Sequence, residues 1–312
     1  MALRAFLFTH DPSNCTELEL IGPQKILENI GKKTTLVYYA TIQLTYTNSR
    51  KIRFRERTDR NYGKGGYGLV VHYESKDVQD VQDTIYFSLK YTRDKIEADT
   101  ITKINRIDSE TKHPCGQLEI KKMIPNENSN TGETSGLYVF LSKTYNGDLK
   151  EFIGSNDRLN KKVVQNIILQ IRNQLICLRE KYDICYTDIK PANILYFYPG
   201  GNDDKKNIEV VLGDLGSVGM TTYPNPWPND PEECQNGESL SRYQKYSLSL
   251  TYLMLRDGRS VWGNIVKNVK NNDPNANRNT VRDVQNALRS DTVPEYETMY
   301  RMIWEHEKET SI

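Results

Sequence analysis

A short polar loop carries the strongest chemical signal in the sequence. It contains Asp188, Lys190, Pro191 and Asn193, follows an amphipathic helical pattern and opens a strand pattern. An aspartate and an asparagine five residues apart on an irregular loop can face one site, the carboxylate toward a hydroxyl group and the amide toward a metal ion. A proline-containing turn stabilised by an Asn side chain would explain Pro191 and Asn193, but it would not explain Lys190.

A second candidate is the motif Gly213-Asp214-Leu215-Gly216, whose aspartate follows Asn193 by twenty-one residues. The pattern between them predicts strands over 194–198 and 208–212, joined by a polar turn. Asn193 enters the first strand and Asp214 leaves the second, so a hairpin would place both at the same open end. Two oxygen donors there suit Mg²⁺, with nucleotide phosphates completing its octahedron.

A glycine-rich stretch has the form G-x-G-x-x-G-x-V, with Gly63, Gly65, Gly68 and Val70 at its fixed positions. Glycines allow a hairpin backbone to lie close over phosphates, where a Cβ would collide. A dinucleotide-binding fold would require a helix directly after the last glycine. A strand pattern, LVVHY, follows instead, which disfavours dinucleotide binding.

Lys90 ends an apolar strand pattern twenty-two residues after Gly68. A lysine in that position is often only an exposed edge residue. Beside a loop that covers phosphates, it could instead bind the phosphates of a nucleotide.

The order of these motifs resembles that of the eukaryotic-type protein kinases of the Ser/Thr branch, over roughly residues 61–255. The resemblance implies Mg-ATP as the cofactor and gives each motif residue a role. In these roles Gly63, Gly65 and Gly68 cover the ATP phosphates, Val70 and Leu195 sandwich the adenine, Lys90 holds the α- and β-phosphates, Asp188 accepts the proton of the substrate hydroxyl, Lys190 steadies the γ-phosphate, and Asn193 and Asp214 bind Mg²⁺.

In the same family a glutamate pairs with the strand lysine, and two residues are candidates for it here. Glu97 lies on a predicted helix over 95–106, only seven residues after Lys90, and is our choice. Glu110 is the alternative. Either residue could instead be an ordinary glutamate that faces solvent from a helix and has no part in the site.

Departures from the family pattern predict that the chain belongs to a divergent branch of the family. A viral source is one alternative for such a branch. Thr187 stands where an arginine usually reads an activation-loop phosphate, which predicts activity without such a phosphate. Leu215 replaces a phenylalanine, and Gln244 stands where the family places a helix aspartate. The segment from Asp214 to Asp230-Pro231-Glu232 is short. These changes bear on substrate docking and regulation more than on ATP chemistry.

The elements that position these residues predict an α+β, bilobal, protein-kinase-like fold. A strand-rich small lobe covers 61–141, a hinge 142–147, and a larger helical lobe 148–312. Residues 1–60 form an N-terminal extension, which we expect to add strands to the small lobe. The clearest helix is predicted from apolar spacing between residues 164 and 178.

Composition excludes several classes of function. The chain has 312 residues and a formal net charge of +1, which argues against coating of DNA or of an anionic membrane. Its five cysteines form no CxxC motif, and no apolar run is long enough for a signal peptide or a membrane span. We therefore expect a location in the cytoplasm or nucleus, of a host cell if the source is viral. The sequence predicts no oligomeric state.

The function predicted is transfer of the γ-phosphate of Mg-ATP to Ser or Thr hydroxyls of a protein substrate. Lys190 followed by Pro191 is typical of the Ser/Thr branch. A pseudokinase that acts as a binding scaffold is the first alternative, disfavoured because Lys90, Asp188 and Asp214 are all present. A small-molecule phosphotransferase of similar fold is the second. It would account for the short segment after Asp214, whereas Lys190 favours protein substrates.

Overall fold

The computed structural model describes fourteen stretches of the chain, and the statements below concern these. They are residues 15–29, 34–46, 48–59, 63–64, 68–75, 86–92, 94–111, 122–124, 138–154, 160–198, 207–218, 240–257, 274–289 and 298–305. The chain divides into two compact units. The first comprises Met1–Arg106 and Glu119–Thr144, and the second comprises Ile107–Leu118 and Tyr145–Ile312. The boundary between the two units at Thr144 and Tyr145 lies within the predicted hinge, 142–147.

The first unit is built on an antiparallel sheet of eight strands. In chain order these are β1 (Cys15–Asn29), β2 (Thr34–Tyr46), β3 (Lys51–Glu56), β4 (Gly63–Lys64), β5 (Gly68–Ser75), β6 (Tyr86–Thr92), β7 (Lys122–Ile124) and β8 (Tyr138–Lys143). The order in the sheet is β1-β2-β3-β5-β6-β8-β7, with β4 also paired to β5. Helix α1 (Lys95–Thr111) connects β6 toward β7.

The N-terminal hairpin β1–β2 is an integral part of this sheet. On β3 the basic residues Lys51, Arg53 and Arg55 face solvent while Ile52 and Phe54 are buried, which is the two-residue period of a half-buried strand. Ile42 and Leu44 of β2 have no exposed surface and share one apolar cluster with Leu69 of β5. The sheet therefore runs without interruption across the boundary predicted at residue 60.

Buried tyrosines link the hairpin to the central strands. The Tyr73 hydroxyl donates to the carbonyl oxygen of Tyr39 at 2.6 Å and lies 2.9 Å from the Tyr91 hydroxyl. The Tyr38 hydroxyl donates to Glu56 Oε1 at 3.1 Å. Burial raises the pKa of both Tyr73 and Tyr91, because their phenolates would be poorly solvated. These hydroxyls thus remain neutral donors that join β2, β5 and β6.

The second unit is mainly helical. Its helices are α2 (Leu149–Gly154), α3 (Lys161–Tyr182), α4 (Arg242–Asp257) and α5 (Pro274–Leu288). A small sheet has the order β11-β10-β9, with β9 (Gly147–Asp148), β10 (Ile194–Phe197) and β11 (Glu209–Leu212). Asn160 caps α3 by accepting from Lys162 N, and Asp183 ends it in the left-handed conformation. No helix among the described residues has both the length and the apolarity needed to cross a membrane.

This element order confirms the predicted fold class, an α+β chain with a strand-rich first part and a helical second part, in the kinase-like order strand, helix, strand around α1. Helix α1 continues five residues beyond the predicted end at 106. The polar turn predicted between β10 and β11, at 199–206, lies outside the described residues.

Candidate active site

The first unit holds Lys90 against a buried carboxylate. Lys90 Nζ lies 2.7 Å from Glu97 Oε1, and the Glu97 side chain has no exposed surface. Asp94 caps α1 through its Oδ1, which accepts from the amides of Ile96 and Glu97. The cap fixes the first turn of the helix and thereby the direction of Glu97. Of the two candidate partners Glu97 makes this contact, while the side chain of Glu110 lies outside the described residues.

The glycine-rich stretch is described only in part. Gly63 pairs with Val70, and Val70 pairs with Lys90 on the neighbouring strand. A Cβ at Gly68 would lie 2.9 Å from the carbonyl oxygen of Tyr91, a distance that side chains do not tolerate. The close approach of β5 to β6 thus requires a glycine at 68 whether or not a nucleotide binds. Gly65 lies outside the described residues.

The second unit brings three of the predicted loop residues together. Asp188 is only 4% exposed. Its Oδ2 accepts from Lys190 Nζ and from Asn193 Nδ2, both at 2.7 Å. Asn193 Nδ2 also donates to the carbonyl oxygen of Asp188 at 3.0 Å. A single turn of 3₁₀ helix over Pro191–Asn193 places the asparagine back over the aspartate. These bonds fix the orientation of the Asp188 carboxylate.

Asp214 follows the end of β11 at the same end of the hairpin as Asn193. Ile194 pairs with Leu212, and Gly213 N donates to the carbonyl oxygen of Asn193 at 2.8 Å. Asp214 itself is left-handed, with φ 51° and ψ 58°. A Cβ at Gly213 would lie 3.3 Å from the side chain of Leu195, so Leu195 packs directly beneath this turn.

This end of the hairpin carries an amide and a carboxylate, which are oxygen donors of the type that Mg²⁺ prefers. Asn193 directs its amide nitrogen to Asp188, which leaves its amide oxygen for a cation. Asp214 adds a carboxylate. The described residues contain no group of three or more His, Cys, Asp or Glu side chains placed to hold a metal. A cation here would therefore take few ligands from the chain and the rest from phosphates and water, which is the usual mode for Mg²⁺.

Two further residues support the loop, and the motif comparison did not assign them this role. Tyr186 is fully buried, and its hydroxyl donates to the carbonyl oxygen of Gly213 at 2.9 Å. Gln244 of α4 donates from Nε2 to the carbonyl oxygen of Tyr186 at 2.8 Å. Gln244 also forms a reciprocal capping box with Ser241, a pattern visible in the sequence as S-x-x-Q. The sequence thus predicts a helix start there, but not the contact with the loop.

A disulfide lies at the start of the same loop. Cys177 of α3 and Cys185 are both disulfide-bonded. The chain reverses at Asp183, where Ile184 N donates to the carbonyl oxygen of Leu178 at 2.9 Å. Cys185 therefore returns beside α3, and we take the two cysteines as one pair. An odd cysteine count without a CxxC motif does not predict this bond.

Comparisons with known proteins leave the family open. No protein-family profile and no curated protein matches the chain. Among solved structures, it is similar to the kinase domain of PknI from Mycobacterium tuberculosis, determined as a double mutant. The identity is 16% and the TM-score 0.39, over 76% of this chain and 96% of that one. A likeness this distant carries no argument here, so the fold assignment rests on the strand order and helix positions described above.

Proposed function

We propose that the chain is an ATP-dependent protein kinase that transfers the γ-phosphate of Mg-ATP to Ser or Thr hydroxyls of a protein substrate. The observation that carries the proposal is the Asp188 carboxylate, nearly buried and held by Lys190 and Asn193. A structural turn would not need a lysine and an asparagine to converge on one carboxylate oxygen.

Asp188 is the general base in this proposal. The substrate hydroxyl oxygen attacks the γ-phosphorus, the bond from that phosphorus to the β-phosphate oxygen breaks, and ADP leaves. The hydroxyl proton passes to Asp188. Lys190, already 2.7 Å from Asp188 Oδ2, carries a positive charge beside the oxygens of the phosphoryl group.

Asn193 and Asp214 would hold Mg²⁺, which when bound supplies positive charge to the phosphates. In the first unit, Lys90 would bind the α- and β-phosphates. Its contact with Glu97 supports this role, because a buried carboxylate fixes the ammonium group in one position. Val70 lies opposite Lys90 in the sheet register and, with Leu195, would contact the adenine.

The test is transfer of label from γ-labelled ATP, with Mg²⁺ and a generic basic protein, by the wild type and by Asp188→Asn. We expect label on Ser and Thr of the protein. Asp188→Asn should lower the turnover number by roughly 10²–10⁴, the span for losing a general base. ATP affinity should barely change, because Asp188 faces the hydroxyl.

A matched control is Asp183→Asn. Asp183 also contacts a cation, Arg179, at 2.7 Å, but its side chain is 80% exposed. Its turnover should stay within about twofold of the wild type, a difference of about 0.4 kcal/mol in barrier. Nucleotide binding without transfer would instead support the scaffold function, and transfer only to a sugar or amine would support a small-molecule phosphotransferase. Absence of nucleotide binding would contradict both phosphotransferase functions.

A further inference from the structure

Two buried glutamines on α3 have no role in the proposed chemistry. Gln170 and Gln174 are 7% and 2% exposed, and they stand four residues apart, on one face of the helix. A buried amide needs hydrogen-bond partners for both its oxygen and its nitrogen. The partners of these two side chains are all backbone groups of one chain segment.

That segment is β11 with the residue before it. Gln170 Nε2 donates to the carbonyl oxygen of Ile208 at 3.1 Å, and its Oε1 accepts from Val210 N at 2.9 Å. Gln174 Nε2 donates to the carbonyl oxygen of Val210 at 2.8 Å, and its Oε1 accepts from Leu212 N at 2.9 Å. Each glutamine thus both donates to and accepts from the strand backbone.

The two side chains together provide β11 with the hydrogen-bond partners that a neighbouring strand would otherwise provide. Within the described sheet β11 is an outer strand, paired to β10 on one side only. Four residues of helix rise about 6 Å, which nearly equals the length of two strand residues, about 6.6 Å. The four-residue spacing on α3 therefore matches the two-residue spacing of the inward-facing backbone groups of β11. A shift of β11 along its axis would break all four bonds at once.

β11 leads directly into the aspartate assigned to the metal. Leu212, the last residue bonded by Gln174, lies two positions before Asp214. Asp214 has φ 51°, a conformation that a residue other than glycine keeps only where its surroundings hold it. We propose that Gln170 and Gln174 are positioning residues that fix the register of β11, and that Gln174 thereby places the Asp214 carboxylate for Mg²⁺. This inference rests on the proposed function.

The two glutamines provide their own matched controls. Each makes two bonds to the backbone, each is buried, and each lies on the same helix face. They differ in how close their bonded partners are to Asp214 along the chain. The partner of Gln174 nearest to Asp214 is the amide of residue 212, and that of Gln170 is the amide of residue 210. A purely structural role predicts equal effects from replacing either, whereas a positioning role predicts a larger effect on the metal from replacing Gln174.

The experiment compares Gln174→Leu with Gln170→Leu in the full chain. We expect both to lower the thermal midpoint by similar amounts. Gln174→Leu should raise the KM for Mg²⁺ at saturating ATP tenfold or more, and Gln170→Leu less than threefold. Equal changes in the KM for Mg²⁺, or none with Gln174→Leu, would overturn the proposal. Should Gln174→Leu fail to fold, Gln174→Met, which keeps the length of the side chain and removes both bonds, takes its place under the same criteria.

Hydrogen exchange separates this proposal from the proposed function. The amide of Gly213, which donates to the carbonyl oxygen of Asn193, should exchange at least tenfold faster in the Gln174 variant than in the Gln170 variant, whether or not the wild type transfers phosphate. A wild type without transfer activity would refute the kinase assignment alone. Equal exchange at Gly213 in the two variants would refute the positioning role alone.

Discussion

Lys90 lies against a carboxylate without any exposed surface, and this makes the pair sensitive to the loss of either partner. Lys90→Met should abolish phosphate transfer. It should also lower the free energy of unfolding by about 3–5 kcal/mol, because the charge of Glu97 would remain buried without a partner. The double variant Lys90→Met/Glu97→Leu should regain most of that stability and none of the activity. Urea unfolding and label transfer measure the two effects.

The control for this pair is Lys95→Met, which removes an exposed lysine at the start of the neighbouring helix. It should change neither activity nor stability by a measurable amount. Near wild-type turnover in Lys90→Met would show that Lys90 does not bind the phosphates, whatever its contribution to folding.

The sequence identifies those site residues that lie close together in a compact motif. Asp188, Lys190 and Asn193 lie within six residues, so local spacing already brings them together. Gln170, Gln174 and Gln244 carry no such signal. A glutamine on a helix looks the same in sequence whether it faces solvent or a strand backbone, and only tertiary packing decides which.

One side chain of helix α4, Gln244, forms a hydrogen bond with the loop that carries Asp188. Gln244→Leu would leave the buried carbonyl oxygen of Tyr186 without this donor. We expect a loss of about 1–3 kcal/mol in the free energy of unfolding, the usual effect of an unsatisfied buried group. Turnover should fall about tenfold, since the loop carries Asp188, while ATP affinity stays the same. Gln285→Leu, at a half-buried position of α5, is the control. Equal turnover in both variants would contradict a link between α4 and the loop.

The tyrosines that join β2, β5 and β6 make the first unit sensitive to high pH. The pKa of Tyr73 and of Tyr91 is raised in the folded chain. Stability from these groups is therefore present below the pKa of an unfolded tyrosine, about 10, and is lost as the pH rises above it. Each contributes a slope of about 1.4 kcal/mol per pH unit in that range.

Urea unfolding between about pH 8 and pH 11 measures this slope. The double variant Tyr73→Phe/Tyr91→Phe should show a shallower loss of stability above pH 10 than the wild type. Tyr86→Phe, at an exposed tyrosine, should retain the wild-type slope. Parallel curves for the wild type and the double variant would mean that these two phenols ionise without unfolding.

Elements with a regular apolar period could be predicted, and those that interrupt it could not. The apolar spacing between residues 164 and 178 indicates the buried face of α3, but the helix extends beyond it at both ends, over Lys161–Tyr182. β1 begins with alternating Glu and Leu, but Pro23 and a register irregularity between Ile21 and Gln24 break the alternation. Pairing of β2 with β3 is a contact between strands, and no local pattern in the chain encodes it.

In the whole molecule, the N-terminal hairpin belongs to the core of the first unit. Ile42 and Leu44 are fully buried, and Lys25 of β1 forms an ion pair with the nearly buried Glu56 of β3. Deletion of residues 1–46 should expose the apolar face of β3, and we expect loss of cooperative unfolding together with aggregation. Calorimetry and light scattering measure both. A truncated chain that unfolds cooperatively and stays monomeric would make the hairpin an accessory.

The cystine of Cys177 and Cys185 closes a ring of nine residues that ends next to Tyr186. The oxidation state of its two sulfurs therefore reports the redox conditions under which the chain folds. Alkylation of living cells before lysis, followed by measurement of the mass of the peptide spanning α3 and the loop, determines that oxidation state. An unmodified pair means that the protein folds under oxidising conditions, and a doubly alkylated pair means that it works as a dithiol.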